Sequence, residues 1–261
     1  MAITTTSSMS QSDRLSAICA HLTQHYRIGI EDICQLYKVT RDTARRDLVR
    51  LDAEGRILRV RGGAVLPPST QQVESFNARG QTLPGKARIG AVAAGLVRAG
   101  ERVLFDASTT VLEVAKAIRV APLSVLTNSI DIAHALSKSE GVDLHVLGGR
   151  FNFFERSLEG ARTSDMLADF QVDKLFLGVC GIDPTGLTCA SEAQVGLKRA
   201  MIEHATQVIM LADSAKFSRS FFHKLCGFEG IDILVTDQSP PPAVAEVLAD
   251  LGVEVIVAGD I

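Results

Sequence analysis

Two sets of residues in this 261-residue chain could do chemistry with phosphate, and they lie far apart in sequence. The first falls in "TRDTARRDLVRLDAEGRILRVRGGAV", residues 40–65. Thr40, Arg41, Asp42, Thr43, Arg45, Arg46 and Arg50 there precede an alternating basic segment that carries Arg59 and Arg61. An arginine presents a planar fork of donors that fits either a guanine edge or a phosphate. The second set closes a series of apolar runs. "FDASTT" offers Asp106, Ser108, Thr109 and Thr110, and "LTNS" offers Thr127, Asn128 and Ser129. "LGG" offers Gly148 and Gly149, "GVCGID" offers Gly181 and Asp183, and "LADSAKF" offers Asp213 and Lys216. Hydroxyls and amides at a helix start can cradle a phosphate. Lys216 would add a point charge, and Asp106, Asn128 and Asp183 suit sugar hydroxyls. Taken singly, each of these residues could equally be a turn or a helix cap.

The elements that must position the arginines are legible. "DRLSAICAHLTQH" puts Leu15, Ile18 and Leu22 on one helical face. "IEDICQLYKV" spaces Ile33 and Leu36 by three for a short second helix, with Glu31 and Asp32 in its first turn. Thr40 caps a third helix with Ala44, Leu48 and Leu51 inward, and Gly55 ends it. In the segment that follows, Ile57, Arg59 and Arg61 share one strand face and Leu58 and Val60 the other, before Gly62 and Gly63 allow a tight turn or a close backbone approach. Three helices and a basic hairpin make a winged helix-turn-helix whose third helix enters the major groove. The leading turns of that helix would read base edges, and Arg59 and Arg61 would meet phosphates. Surface ion pairs with Asp42, Asp47 or Asp52 are the alternative use for the same arginines.

From residue 86 onward, apolar runs alternate with helical patterns, as in a largely parallel sheet with crossover helices. Helices are expected at "KARIGAVAAGLVRAG", "TTVLEVAKAI", "DIAHALSK", "EAQVGLKRAMIEHA" and "PAVAEVLADLG". Strands are expected at "RVLFDA", "LSVLTNS", "DLHVLGG", "DKLFLGVCGI", "ATQVIMLAD", "IDILVTD" and "VEVIVAG". In such sheets ligands collect beyond the carboxyl ends of the strands, where the second residue set falls. The fold class is therefore α/β: an N-terminal winged helix-turn-helix plus a larger C-terminal α/β domain with a mostly parallel sheet. The expected boundaries are a disordered lead-in over 1–12, the DNA-binding domain over 13–66, a linker over 67–85 and the sensing domain over 86–261.

Charge separates the same two halves. Residues 1–66 carry ten Lys/Arg against seven Asp/Glu, a net +3, and the remainder carries seventeen against twenty-three, a net −6. A small basic module joined to an acidic one fits duplex DNA as partner of the first. No apolar run approaches a membrane span, and the polar start lacks a signal-peptide pattern. The five cysteines show no CxxC, which suits a reducing cytoplasm. The six histidines have no zinc-finger partners, so no metal and no cofactor are expected.

At these residues the chain resembles the DeoR family of bacterial transcriptional regulators. The family pattern "S-x-x-T-[IV]-R-R-D-L-x-x-L-x-x-x-G-x-[IL]-x-R-x-x-G-G" falls on residues 40–63, with Thr40 for Ser and Ala44 for a branched residue. The resemblance extends from about residue 13 to the end. Arg79 and Lys86 match an Arg and a helix-opening Lys, "D-x-G-T-T" falls on 106–110 with Ser108 for Gly, and "T-N-S" falls on 127–129. Gly148 and Gly149, "D-x-x-F-[LI]-G" at 173–178, and "G-L-T" at 186–188 also match. "E-A-x-x-K" keeps Glu192 and Ala193, with its basic residue displaced to Lys198. Cys180 stands where a carboxylate is common, and Ala215 replaces a hydroxyl residue before Lys216 and Phe217. The resemblance implies a sensing domain similar in fold to ribose-5-phosphate isomerase, with a phosphorylated sugar as effector and Glu192 among its contacts. It implies a cytoplasmic bacterial repressor of carbohydrate genes, bound to the nucleoid when on its operator, rather than an enzyme. Since one small helix-turn-helix reads few base pairs, a homodimer or homotetramer matching a two-fold operator is expected. The alternative is a sugar-phosphate isomerase with an attached DNA-binding domain, in which Asp183 or Glu192 would serve as base.

Overall fold

A computed structural model describes residues 9–67, 74–80, 84–217 and 219–259. The chain divides into two compact units, the first built from the N-terminal residues up to Thr70 and the second from most of the remainder. Part of the expected lead-in, residues 1–8, lies outside the described residues, as do 68–73 and 81–83 of the expected linker.

In the first unit, α1 (Gln11–His25), β1 (Arg27–Gly29), α2 (Ile30–Tyr37), α3 (Arg41–Ala53), β2 (Leu58–Val60) and β3 (Gly63–Val65) follow in order. The three strands form an antiparallel sheet in the order β1-β3-β2. Leu15, Ile18 and Leu22 of α1 meet Ile33 of α2, and Ala44, Leu48 and Leu51 of α3, in one core closed by Ile28, Ile57 and Ala64. The expected inward stripes of α1 and α3 are thus the packed ones. Thr40 Oγ1 accepts from the Thr43 amide at 3.3 Å, the cap expected for α3.

Three local details differ from the sequence pattern or extend it. Leu36 is 54% exposed, and Ile33 is the residue of α2 that is buried. The α2 start has no side-chain cap at Gly29. Instead Asp32 reaches back to accept from the Gly29 amide at 2.8 Å. In the wing Leu58 and Val60 are exposed, since β2 lies at the sheet edge, and Ile57 just before it turns into the core. The two glycines divide the roles expected of them. Gly62 adopts φ +85° in the turn, and any side chain at Gly63 would collide with the backbone oxygen of Ile28 on β1.

The second unit opens with α4 (Phe76–Gly80) and α5 (Pro84–Ala94), both within or overlapping the stretch read as linker; Phe76 is buried. There follow β4 (Arg102–Phe105), α6 (Thr109–Ala117), β5 (Leu123–Thr127), α7 (Ile130–Leu136), β6 (Val142–Val146), β7 (Arg150–Asn152) and β8 (Ser157–Glu159). Then come α8 (Ala161–Leu167), β9 (Val172–Gly178), β10 (Gly181–Asp183), β11 (Gly186–Cys189), α9 (Glu192–Glu203) and β12 (Ala205–Ala212). The last elements are β13 (His223–Cys226), β14 (Ile233–Thr236), α10 (Pro242–Asp250) and β15 (Glu254–Val257). Seven strands in the order β15-β14-β12-β9-β4-β5-β6 form the main sheet, every neighbouring pair parallel. The expected mostly parallel sheet is therefore present. The expected single strand over "DKLFLGVCGI" is broken after Gly178, and its second part, β10, joins a small antiparallel sheet with β11 and β13.

The crossover helices α5, α6 and α7 press Ile89, Ala93, Val111, Val114, Ile132 and Leu136 onto Val103, Phe105, Val125, Phe176 and Ile209 of the sheet. Phe105 and Phe176 are register partners on β4 and β9, with ring centroids 5.3 Å apart. Each such fully buried ring contributes about 1.5–3 kcal/mol, which fixes the central strands firmly. Their carboxyl ends then become a rigid platform. α5 stops at Ala94, shorter than the pattern to Gly100 suggested, with turns up to Gly100 at φ +84°.

Candidate functional site

The arginines of the small unit fall into two groups. Arg41 pairs with Glu31, Arg45 stands 3.9 Å from Asp42, and Arg50 binds Glu54 at 3.1 Å and Gln11 at 3.2 Å. All three pairs are exposed, where an ion pair contributes little and yields to a better anion. Arg46, Arg59 and Arg61 are exposed and have no ion-pair partner among the described residues. Asp42 and Thr43 lie in the first turn of α3, and Thr43 Oγ1 is 3.0 Å from Thr40 Oγ1, so Thr40 serves the helix as a cap.

Two of the acids weighed as arginine partners have other tasks. Asp47 is fully buried and receives Arg14 of α1 through two bonds, at 2.6 and 3.2 Å, and Gln11 at 3.1 Å. That bidentate pair bolts α3 to α1, and sequence reading missed it because the partners stand 33 residues apart. Asp52 accepts from the Arg59 amide at 3.2 Å and ties the end of α3 to the wing. The scaffold acids thus hold the helix and wing in place while the cations face water.

In the second unit a groove lies beyond the carboxyl ends of β4, β9 and β12. Its floor is formed by residues 107–110, Gly178, Cys180 and Lys198. Ser108 caps α6 by accepting from the Thr110 amide at 3.3 Å, and the first turn of that helix lines the groove. One end is cationic, with Arg79, Lys86, Lys216 and Arg219 beside Asp213. Lys86 donates to Thr109 Oγ1 at 3.1 Å and to the Arg79 carbonyl at 2.7 Å. Burial pulls the Lys86 and Lys216 ammonium pKa values down, against the upward pull of Asp213. The Lys216 ammonium makes no hydrogen bond among the described residues, although its backbone amide donates to the Asp213 carbonyl at 2.9 Å, and the buried Nε of Arg79 finds no partner among them. The other end offers acceptors, with Asn128, Glu155, Ser157, Glu159 and Gln194 around a small recess. Glu155 joins the two ends, since it also pairs with Arg79.

The residues singled out from sequence divide clearly. Ser108, Thr109, Thr110 and Lys216 line the groove together. Asp106 lines its floor but is engaged. It pairs with Lys198 and accepts from the Gly178 amide at 3.0 Å. Burial opposes the charge on Lys198, yet Asp106 and the neighbouring thiols outweigh it and raise that pKa. Asn128 also lines the recess, while its carbonyl accepts from the Ala107 amide at 3.0 Å. Thr127 donates to the Phe105 carbonyl at 2.8 Å and fixes the end of β5. Gly148 and Gly149 lie against α8, where Thr163 donates to the Gly148 carbonyl at 2.8 Å and a side chain on Gly149 would strike Thr163. Asp183 sits in the β10–β11 turn, accepting from the Thr185 amide at 2.8 Å, and does not line the groove. Glu192 is exposed in the first turn of α9, also off the groove lining. Gly181 packs against the backbone of Arg219. Glu155 and Glu159 were not legible in sequence, because the segment 150–159 shows no strand alternation that would mark the β7–β8 hairpin.

No helix among the described residues is long and apolar enough to cross a membrane, and none of their His, Cys, Asp and Glu side chains cluster as a metal site. Family models match the two units in turn: a DeoR-like helix-turn-helix domain over residues 14–70 and a DeoR C-terminal sensor domain over 82–238. The HTH-type transcriptional repressor GlcR of Bacillus subtilis (strain 168) is 43% identical over 250 residues, covering 95% of this chain and 97% of that one. The glycerol-3-phosphate regulon repressor of Escherichia coli (strain K12) is 30% identical over 244 residues, covering 93% and 97%. Among solved structures, ribose 5-phosphate isomerase A of Methanocaldococcus jannaschii aligns with a TM-score of 0.36 at 14% identity, over 50% of this chain and 52% of that one, a likeness too loose to carry weight. The relatives matched along nearly their whole length are regulators, which removes the isomerase alternative. The chain belongs to the DeoR family and is a DNA-binding transcriptional repressor related to regulators of carbohydrate metabolism.

Proposed function

We propose that the repressor is controlled by a small phosphorylated sugar or polyol held in the groove of the larger unit. The observation that carries this reading is the polarity of the groove. Arg79, whose buried Nε has no partner among the described residues, and the Lys216 ammonium converge with the first turn of α6 at one side. Asn128, Glu155, Glu159 and Gln194 stand at the other. A phosphate satisfies the first set and hydroxyls the second. Inorganic phosphate would meet only the first set, so the second supplies selectivity. One relative is named for a glycerol-3-phosphate regulon, which agrees with an effector of this class.

Thr40, Arg41, Asp42, Thr43, Arg45, Arg46 and Arg50 form the DNA-facing surface of α3, with Arg59 and Arg61 on backbone phosphates. The working unit is a symmetric homo-oligomer, a dimer or tetramer, because a single recognition helix reads few base pairs and paired modules match two-fold operators. Thermal-shift screening with three- to six-carbon sugar and polyol phosphates tests the effector, since a ligand that binds only the folded state raises the midpoint. A hit should be lost in Arg79→Ala and Lys216→Ala. A panel that leaves the midpoint unchanged, or a hit that survives both substitutions, would refute the assignment.

A further inference from the structure

Antiparallel pairing in the β10–β11 hairpin joins Gly181 to Thr188, Ile182 to Leu187 and Asp183 to Gly186. Cys180 immediately precedes Gly181 and Cys189 immediately follows Thr188, so the two cysteines flank the end pair of the hairpin. Both are free thiols and both are buried. Cys180 forms part of the groove wall beside Arg79 and Lys216, whereas Cys189 is fully enclosed behind it. The Cys180 thiol donates to Gln194 Oε1 at 3.7 Å. Neither DNA contact nor anion recognition calls for a thiol here, still less for two.

The surroundings treat the two sulfurs oppositely. A hydrogen bond from Cys189 holds the Cys180 thiol down to about 6, against burial and with help from the Lys198 charge. Cys189, which donates that bond, is pushed up by it and by burial. A thiolate is the reactive form of cysteine, so the groove-lining sulfur is the nucleophile and the enclosed one is its reserve. Directly opposed antiparallel residues have Cα atoms about 4.5–5.5 Å apart. A disulfide spans Cα atoms roughly 4.4–6.8 Å apart, a range open to residues flanking such a pair whose side chains already interact.

We propose that Cys180 and Cys189 form a hydroperoxide-reactive dithiol site in the wall of the groove. The Cys180 thiolate attacks one peroxide oxygen. The O–O bond breaks, the hydroxide that leaves takes up a proton as water, and Cys180 becomes a sulfenic acid. The Cys189 sulfur then attacks the Cys180 sulfur as it loses its proton. The S–S bond forms, and the departing hydroxide carries that proton away as a second water. Two thiols are oxidised by two electrons and one peroxide is reduced to two waters. This chemistry does not depend on which anion occupies the groove.

The test uses the reduced full-length chain and hydrogen peroxide, followed by intact mass and peptide mapping. Loss of two hydrogens with a Cys180–Cys189 linkage is expected. Cys189→Ser should instead leave a sulfenic acid on Cys180 that dimedone captures. Cys180→Ser should abolish the linkage while Cys189 stays reduced, and because Cys180 lines a cavity this variant keeps the test open if Cys189→Ser fails to fold. Iodoacetamide labelling of Cys180 in the unaltered chain should inflect near pH 6, well before Cys226, which burial pushes up to about 11. Oxidation at Cys19, Cys34 or Cys226 while Cys180 remains a thiol would overturn the proposal. So would Cys180 labelling that inflects at the ordinary thiol value of about 8.5.

Discussion

The cations of α3 and the wing stand in water, whereas those of the groove are mostly buried among acids and carbonyls. Arg46, Arg59 and Arg61 are exposed without ion-pair partners among the described residues, and the pairs of Arg41, Arg45 and Arg50 are also exposed. Lys86 and Lys198 are buried against Asp213 and Asp106, and Arg79 is nearly covered beside Glu155. An exposed cation is free to meet a long polyanion anywhere along its length, at little cost to folding. A buried one is committed to a single geometry, and its loss is felt by the fold. On the proposed reading, the difference separates a surface for sliding along DNA and reading it from a groove for one small anion.

That contrast is sharpest where a buried charge loses its partner. Asp106→Asn should cost the larger unit about 3–5 kcal/mol, because Lys198 would keep its charge without compensation. Denaturant unfolding measures this, and the double substitution with Lys198→Met should recover part of the loss. The small unit holds its own buried pair, so Arg14→Ala should be destabilising to a comparable degree by stranding Asp47. A loss well under about 1 kcal/mol in either would place these pairs with the surface kind.

The exposed arginines should behave differently. Arg45→Ala and Arg46→Ala should leave the unfolding midpoint nearly unchanged. They should cost about 1–3 kcal/mol of discrimination at a read base wherever the side chain is bidentate to guanine. Competition gel shifts with single-base operator variants measure that loss. Unchanged binding by the double variant would remove α3 from the DNA interface. Arg59→Ala and Arg61→Ala should have the smallest effect, weakening all sequences alike. Each should lower the slope of log affinity against log salt by about 0.9, one phosphate contact's worth.

Local chemistry was legible in the sequence where cause and effect are neighbours. Thr40 caps the helix that begins one residue later, Ala44, Leu48 and Leu51 face inward together, and Gly62 turns the wing, all within a few residues. The parallel sheet was legible for the same reason, since each buried strand is a continuous apolar run. Partnerships across long separations were not. Asp106 reads as a free acceptor until Lys198, 92 residues away, is folded onto it, and Asp47 reads as surface until Arg14 arrives. Leu58 and Val60 could not be assigned to core or solvent, because alternation shows two strand faces without showing which one meets a core. Glu155 and Glu159 were hidden in a hairpin too short to announce itself.

The coupling between the two surfaces is the central claim, and DNA affinity measured with and without effector tests it most directly. Fluorescence anisotropy on a duplex selected by the protein from a randomised pool would be repeated across the panel of sugar and polyol phosphates. At least one compound should change DNA affinity by about tenfold or more, a coupling of roughly 1.4 kcal/mol. The same compound should have no effect on the Lys216→Ala chain. A panel that never shifts DNA affinity, or a Lys216→Ala chain that responds as the unaltered one does, would contradict the account.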